Sequence, residues 1–232
     1  MQNNFSIVIP VLNEEENIEK LTKRIAYFFT KFSYEIIFID DNSIDNSKYI
    51  FKKLKKKYKN FKFYIRKNKK RDLSKSCIYG FKKSKNPNII VMDGDLQHDP
   101  KYLNKMSDCY IKNKLDFLVG ARDFSKFKIS GLSLFRYWSS KIFIFFFKLL
   151  IGNITNDPMA GYFIFKKKIY LQKRNKLFSR GYKILSDLLY SGDNSLKSKD
   201  FIIKFNYRVS GKSKMNFKVL LNIIFFILKK KF

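Results

Sequence analysis

Two aspartates separated by one glycine follow an apolar run near the middle of the sequence. The run from Ile89 to Met92 predicts a buried strand, and Asp93-Gly94-Asp95 begins where it ends. Residues i and i+2 of an extended segment point the same way, so both carboxylates can face one target while Gly94 lets a ligand approach the backbone. Gln97 adds an amide oxygen, and these hard oxygen ligands suit Mg²⁺ or Mn²⁺ with room left for substrate phosphates. The alternative is a polar turn that only ends a strand.

The other residues that could do chemistry exclude several classes of enzyme. His98 is the only histidine, so the sequence cannot assemble a Ser-His-Asp triad or a His-rich zinc site. Cys77 and Cys109 stand in no metal-ligand or redox spacing, and we expect buried or free thiols in a reducing compartment. The glycine patterns of dinucleotide-binding and P-loop proteins are absent. A nucleoside diphosphate held by acidic residues and a metal therefore fits better than one held by glycines.

The composition predicts one folded domain with an unusual charge. The chain has 232 residues, 45% of them hydrophobic and 18% aromatic, which is enough for a sizeable core. Its formal net charge of +30 makes nucleic acid, an anionic membrane surface or phosphorylated substrates the expected partners. Coding bias accounts for part of the lysine excess, because Lys, Asn, Ile and Phe are abundant while Ala is rare. The N-terminus lacks a basic region followed by a long apolar one, so we expect no cleaved secretory signal.

Strands and helices alternate through the first half of the sequence. Strands are predicted at Ser6–Val11, Glu35–Ile39, Phe61–Ile65, Asn88–Met92 and Phe117–Val119. Repeated strand-helix-strand units imply an α/β fold in which a mostly parallel, Rossmann-like sheet has helices on both faces. Ligands collect at the carboxyl ends of such strands. We therefore expect four loops to converge on one crevice: Pro10–Glu14, Asp40–Ser43, Asp93–Gln97 and the loop at Arg122.

The first helix has a predicted start and a predicted buried face. Asn13 can cap it, and Glu16 has the spacing of a capping box. The apolar residues that recur at helical spacing, and so predict the core stripe, are Ile18, Leu21, Ile25, Phe28 and Phe32.

The second half of the sequence contains two apolar segments with basic residues in or beside them. Residues 132–151 predict a basic amphipathic helix that is too charged to span a bilayer but suited to lie in its interface. A helix packed on the sheet is the alternative. The segment Phe217–Leu228, followed by Lys229–Lys231, is apolar but short, and it could dock on lipid or begin a membrane segment. We therefore predict a folded domain over residues 1–215 and a C-terminal membrane-surface segment over residues 216–232, with amphipathic helices in this half.

Six motifs resemble one family of enzymes. The segments Ile9–Asn17, Ile39–Ser43 and Met92–His98 resemble the family 2 glycosyltransferases, which have the GT-A fold. Three more resemble, more narrowly, the dolichol-phosphate (polyprenol-phosphate) mannosyltransferase branch: Asp157–Phe163, Gly181–Leu185 and Arg208–Lys214. The motifs follow the order of the family and cover nearly the whole chain.

The resemblance implies a role for each matched residue. The nucleoside would be held by Pro10, Leu12, Glu14, Ile39 and Asp41. The metal and the diphosphate would be held by Asp93, Asp95 and Gln97, with Gly94 between the two carboxylates. Donor or acceptor phosphates would be contacted by Arg122, Arg208 and Lys214, which together with Asp95 form the implied catalytic set.

Three positions depart from the pattern of the family. Leu12 stands where the family often has Tyr, which weakens base stacking as an expectation. Asp187 stands where many members have Glu, and Ile164 where some have Arg. Both of these departures concern the acceptor side of the implied site.

The resemblance also implies a reaction. It is an inverting, metal-dependent transfer of a sugar, with mannose from GDP-mannose as the first candidate, to a polyprenyl or dolichyl phosphate. A UDP-sugar such as UDP-glucose is the alternative donor. A basic nucleic-acid-binding protein is a distant alternative function, and the sequence lacks RNA-binding and helix-turn-helix patterns. The expected partners are the nucleotide-sugar, the lipid phosphate and the cytoplasmic face of a membrane. No nucleic acid is expected as a partner. Many relatives continue into a membrane domain, and a separate membrane-anchoring protein is a further expected partner.

Overall fold

The computed structural model of the chain describes residues 3–67, 70–123, 134–152, 154–181, 184–190 and 196–204. The strands in these ranges are β1 (Phe5–Val11), β2 (Tyr34–Asp40), β3 (Phe61–Ile65), β4 (Asn88–Val91), β5 (Phe117–Ala121), β6 (Phe163–Lys166) and β7 (Ser198–Ile202). The helices are α1 (Glu15–Phe28), α2 (Ser47–Lys57), α3 (Leu73–Lys83), α4 (Leu103–Lys112), α5 (Leu134–Ile151), α6 (Lys167–Lys173) and α7 (Ile184–Tyr190), and a 3-10 turn at Pro100–Tyr102 precedes α4. The predicted alternation of strands and helices is confirmed.

One sheet joins these strands in the order β3-β2-β1-β4-β6-β5-β7. Neighbouring strands are parallel except in the two pairs that involve β6. At the centre of the sheet, Val8 of β1 is in register with Ile37 of β2 and with Val91 of β4. All the strands other than β6 share one direction, so their carboxyl ends lie along one edge of the sheet. The prediction of a mostly parallel sheet is confirmed.

The hydrophobic core lies on both faces of the sheet because side chains alternate along each strand. Ile7 and Ile9 of β1 face a core shared with α1, α2 and α4. Val8 faces the opposite core, shared with α3, α6 and α7. Helices therefore cover both faces, as the repeated strand-helix-strand units predict.

The start of α1 differs from the predicted capping box. The helix begins at Glu15, and Asn13 takes a left-handed backbone conformation with φ of +55°. The side chain of Asn13 accepts a hydrogen bond from the amide of Ile44 at 3.0 Å. The amide of Glu15 instead donates to the carboxylate of Asp45 at 3.0 Å. The prediction that Asn13 caps the helix was wrong because the cap comes from the loop after β2.

The buried face of α1 agrees with the prediction except at Phe28, and Phe32 beyond the helix packs against the core as predicted. Ile18, Leu21 and Ile25 are fully buried, but Phe29 rather than Phe28 completes the stripe. The ring of Phe29 packs edge-to-face on Phe5 of β1, with centroids 5.7 Å apart. Phe29 lies four residues after Ile25, and its amide donates to the carbonyl of Ile25 at 2.8 Å, so it continues the helical spacing of the stripe.

Helix α5 packs against the domain on one side and is exposed on the other. Tyr137 and Phe147 are buried, and Phe147 belongs to the core on the α3 face. Four residues that recur at helical spacing are 56% to 71% exposed, and we call them the outer stripe: Trp138, Ile142, Phe145 and Leu149. The packed side agrees with the alternative of a helix on the domain, and the membrane-interface alternative stays a prediction for the outer stripe. Within the described ranges, no helix has both the length and the apolarity that crossing a membrane requires.

Candidate active site

Three of the predicted loops meet at the carboxyl edge of the sheet. The amide of Asp41, just after β2, donates to the carbonyl of Val11 at the end of β1 at 2.9 Å. The amide of Asn13 donates to the hydroxyl of Ser43 at 2.8 Å. On the other side of β1, a Cβ added to Gly94 would lie 2.5 Å from Cγ1 of Val11. The glycine is therefore required first by the packing of this loop on β1. The predicted convergence is thus observed for three of the four loops, and the fourth, at Arg122, is described below.

The Asp93-Gly94-Asp95 segment forms a tight turn that places its two carboxylates differently. The side chain of Asp93 is 39% exposed, whereas Asp95 is buried. One oxygen of Asp95 accepts a hydrogen bond from the amide of Gln97 at 3.1 Å. Leu96 between them has a φ of +63°, which closes the turn. The carboxylate of Asp95 is thus oriented by the backbone, and that of Asp93 is partly accessible to solvent.

Arg122 is held at the site by Asp157, a residue for which the sequence predicted no role. Asp157, which is 1% exposed, accepts hydrogen bonds from Nε and Nη2 of Arg122, both at 2.7 Å, and from its amide at 3.1 Å. Burial alone would lower the pKa of Arg122, but the charge and hydrogen bonds of Asp157 and the charge of Asp93 raise it. The guanidinium is therefore a fixed cation beside Asp93. The Asp157–Phe163 motif carried the only sequence signal for this role.

The loop that carries Asp157 is itself fixed by the edge strand β7. The carboxylate of Asp200 accepts hydrogen bonds from the hydroxyl of Thr155 at 2.6 Å and from the amide of Asn156 at 2.8 Å. The amide of Asp157 donates to the same hydroxyl of Thr155 at 3.1 Å. A chain of hydrogen bonds therefore runs from β7 to the Arg122 side chain.

The residues expected at the nucleoside side occupy the ends of β1 and β2. Pro10 and Ile39 are buried and paired in register in the sheet, so each can present mainly its backbone or one edge to a ligand. Leu12 and Glu14 follow β1 and are partly exposed. Glu14 also accepts a hydrogen bond from the side chain of Asn17 at 2.7 Å.

Asp41, the fifth of these residues, lies in a buried polar network. One carboxylate oxygen pairs with Arg66, and the other accepts a hydrogen bond from the amide of Asp72 at 2.6 Å. Burial raises the pKa of Asp41, and these hydrogen bonds and the charge of Arg66 oppose that rise. Arg66 also donates to the hydroxyl of Ser76 at 2.9 Å. Asp41 therefore joins the end of β2 to the start of α3, a link that spacing in the sequence does not reveal.

The positions that depart from the family pattern have structural partners. Ile164 is fully buried in β6. Asp187 is buried on α7, and its carboxylate accepts hydrogen bonds from the amides of Phe178 at 2.9 Å and Ser179 at 2.8 Å. Asp187 thus anchors the loop before α7. Arg208 and Lys214, together with the predicted segment 216–232, lie outside the described residues.

The oxygen ligands of Asp93 and Asp95 fit Mg²⁺ or Mn²⁺ that is held jointly by the protein and by substrate phosphates. In the part of the chain that the structure describes, no group of three or more His, Cys, Asp or Glu residues could hold a metal ion. Mg²⁺ is usually bound through one or two carboxylates together with substrate phosphates. One carboxylate that is partly accessible to solvent and a second fixed by the amide of Gln97 match that arrangement.

The sheet order and the acid-bearing turn at its carboxyl edge define the GT-A class of fold. Solved structures of glucosyl-3-phosphoglycerate synthase from Mycobacterium tuberculosis share this fold. The complex with phosphoglyceric acid has a TM-score of 0.72 and 13% identity, and the match covers 98% of this chain and 79% of that chain. The complex with Mn²⁺, UDP-glucose and phosphoglyceric acid has a TM-score of 0.72, 12% identity and the same two coverages of 98% and 79%.

The sequence also matches a family model, Glycosyl transferase family 2, over residues 6–172. The chain therefore belongs to glycosyl transferase family 2. It is 33% identical over 217 residues to the dolichol-phosphate mannosyltransferase of Pyrococcus furiosus, a match that covers 93% of this chain and 60% of that protein. The dolichol-phosphate mannosyltransferase of Saccharomyces cerevisiae is 28% identical over an alignment of 236 positions, and the match covers 95% of this chain and 84% of that protein. The predicted resemblance is confirmed. The chain spans 60% of the length of the Pyrococcus protein.

Proposed function

We propose that the protein is an inverting glycosyltransferase that transfers a sugar from a nucleotide donor to a polyprenyl or dolichyl phosphate at a membrane surface. The observation that carries the proposal is the meeting of Asp93, Asp95 and the Arg122–Asp157 pair at one edge of the sheet. This edge lies in a chain that is similar over 93% of its length to a dolichol-phosphate mannosyltransferase. Acids and a fixed cation together suit a nucleoside diphosphate and its metal.

The acceptor phosphate serves as its own nucleophile in this reaction. A phosphate monoester loses its second proton near a pKa of about 6, so at neutral pH it is largely ionised and requires no general base. The position of His98 supports this view. The ring is 1% exposed, and Nδ1 accepts a hydrogen bond from the amide of Asp93 at 2.9 Å. That nitrogen is therefore engaged by the backbone and is not presented to an acceptor.

The protein acts mainly on the leaving group. Asp93, Asp95 and Gln97 would hold the metal, which when bound supplies positive charge to the diphosphate. Arg122 adds a second positive charge that Asp157 keeps in place, so it needs little reorganisation as charge develops on the leaving diphosphate. Arg208 and Lys214 are proposed to contact donor or acceptor phosphates as well. In-line attack at the anomeric carbon gives a β-linked product from an α-linked donor.

GDP-mannose is the proposed donor because the curated relatives are mannosyltransferases. Pro10, Leu12, Glu14, Ile39 and Asp41 are proposed to border the nucleoside. A UDP-sugar remains the second candidate, since one solved structure of the same fold holds UDP-glucose and Mn²⁺.

The outer stripe supports attachment to a membrane surface, which we place at the cytoplasmic face. An interfacial helix exposes aromatic and aliphatic residues on one side and carries Lys or Arg near them. Lys141 and Lys148 occupy that role on α5, where Nζ of Lys148 also contacts the side chain of Asn156 at 2.7 Å. We propose that residues 1–215 form the catalytic domain and that residues 216–232 add to lipid binding.

A panel of donors tests the proposed reaction. The full chain is incubated with polyprenyl phosphate, Mn²⁺ and each of several radiolabelled GDP- and UDP-sugars, and labelled glycolipid is counted. We expect GDP-mannose to give the fastest transfer and excess EDTA to stop it. No glycolipid from any donor would refute the proposed reaction, and a faster UDP-sugar would replace the donor.

Matched surface variants test the membrane contact. Trp138→Ser with Phe145→Ser removes two aromatic side chains of the outer stripe, and Tyr27→Ser with Tyr49→Ser removes two exposed aromatic side chains from α1 and α2. We expect only the first pair to weaken sedimentation with anionic vesicles. Equal sedimentation of the two variants would exclude the outer stripe as the contact surface.

A further inference from the structure

We propose that His98 and Gly161 are positioning residues that fix Asp93 from two sides, His98 through the backbone and Gly161 through the carboxylate. The inference rests on the proposed function, since it gives Asp93 a part in holding the metal and the diphosphate. The inference is based on the contacts of Asp93 with His98, which follows the same turn, and with Gly161, which lies in a different loop.

His98 holds the backbone of Asp93. Its ring is buried against Tyr162, with centroids 5.2 Å apart, and its Nδ1 accepts the amide hydrogen of Asp93 at 2.9 Å. Because a nitrogen that accepts carries no proton, this hydrogen bond requires the ring proton of His98 to stand on Nε2. The same Nδ1 lies 3.6 Å from Oδ2 of Asp93. Because Nδ1 is engaged by the amide, its effect on the carboxylate is exerted through the backbone turn.

Gly161 limits where the carboxylate of Asp93 can lie. A Cβ added to Gly161 would lie 2.5 Å from Oδ2, 2.8 Å from Oδ1 and 2.9 Å from Cγ of Asp93. Its backbone is outside the left-handed region, which among the described glycines is occupied by Gly152 and Gly181. Alanine would therefore suit the backbone at Gly161 but collide with the carboxylate. The glycine is required by the position of Asp93 and not by its own conformation.

The loop that carries Gly161, residues 157–161, is fixed by contacts that do not involve Asp93. The hydroxyl of Ser186 on α7 donates to the carbonyl of Pro158 at 2.6 Å, and the amide of Ala160 donates to the carbonyl of Asp157 at 3.0 Å. Asp157 in turn is bonded to Arg122. Because the loop that carries Gly161 cannot easily withdraw, a methyl group at Gly161 would displace the side chain of Asp93.

Binding of Mn²⁺ in the presence of GDP, and separately of UDP, tests both positioning residues. Unbound Mn²⁺ is measured by electron paramagnetic resonance with the purified full chain and three variants: His98→Leu, His98→Asn and Gly161→Ala. Removing a group that orients a metal ligand typically weakens metal affinity by about 10–100-fold. We expect such a loss in His98→Leu and in Gly161→Ala. His98→Asn should recover most of the affinity, because its side-chain oxygen can accept the amide of Asp93 in place of Nδ1.

Gly152→Ala is the matched control for a change at glycine. Gly152 has a φ of +85° and no atom within 4 Å of an added Cβ, so alanine there strains the backbone without touching Asp93. We expect its urea midpoint to fall and its Mn²⁺ affinity to equal that of the parent. Circular dichroism and urea midpoints of the other variants separate a loss of folding from a loss of position.

The outcomes separate this inference from the proposed reaction. Folded His98→Leu and Gly161→Ala proteins that bind Mn²⁺ like the parent would overturn the inference, and so would a His98→Asn protein as weak as His98→Leu. Absence of nucleotide-dependent Mn²⁺ binding by the parent would overturn both the metal site and the inference. If the variants lose Mn²⁺ as expected while no donor yields glycolipid, the inference stands and the proposed acceptor is wrong.

Discussion

Removal of the Asp157 carboxylate should destabilise the protein because Arg122 would lose the anion that holds it. The carboxylate is 1% exposed and the side chain of Arg122 is 16% exposed, so both charges are largely withdrawn from water. Taking away one partner of a buried pair costs about 3–5 kcal/mol. Arg122 retains some contact with water and lies near the charge of Asp93, so we expect Asp157→Ala to cost about 3 kcal/mol, at the low end of that range.

Urea unfolding at pH 7 measures this cost. With a slope of about 1–3 kcal/mol per molar urea, a loss of about 3 kcal/mol lowers the midpoint by at least about 1 M. Asp157→Asn should be milder, since its side-chain oxygen can still accept one hydrogen bond from the guanidinium.

A double-mutant cycle with Arg122→Ala distinguishes loss of the pair from general damage to the loop. The charge left behind in Asp157→Ala is absent from the double variant, so the double variant should lose less stability than the two single variants together. We expect a coupling of about 1–3 kcal/mol. Losses that add to within about 0.5 kcal/mol would refute the account of Asp157 as the partner that holds Arg122.

Three further predictions follow from other residues. Asp95→Asn keeps an acceptor for the amide of Gln97 but removes a charge, so it should abolish glycolipid formation with little change in the urea midpoint. Burial alone would raise the pKa of Glu35, but hydrogen bonds from Lys62, Ser6 and the amide of Lys85 outweigh it and lower that pKa. The resulting stabilisation is complete above the ordinary pKa of the carboxyl and is lost as the pH falls through its lowered value. Glu35→Gln should therefore reduce the difference in unfolding free energy between pH 7 and pH 3. Arg208→Ala should reduce turnover but leave sedimentation with anionic vesicles intact. Neutralising Lys229–Lys231 should weaken sedimentation but leave turnover intact, because each lysine contributes about 1 kcal/mol of attraction to the lipid. The same loss of vesicle binding in both variants would remove the distinction.

The sequence alone determined the five strands of the first half, their common direction and the edge where ligands are expected, but not the antiparallel strand β6. Apolar strands such as Asn88–Val91 end at polar residues, and the sheet had to be parallel because a helix follows each of its early strands. These features depend on local periodicity and on general rules of chain connection. The pair Asp93 and Asp95 could be found for the same reason, since their spacing is local.

The partners of those residues were decided only by the tertiary structure. Asp157 lies 35 positions from Arg122, and Gly161 meets Asp93 from the loop before the neighbouring strand β6. The cap of α1 likewise comes from Asp45, 30 positions away. Such contacts depend on the angles at which loops leave the strands and on which side chains face one another across the crevice. Local spacing in the sequence does not predict these angles or these facing side chains. The sequence could therefore identify the acids of the site but not the residues that hold them in place.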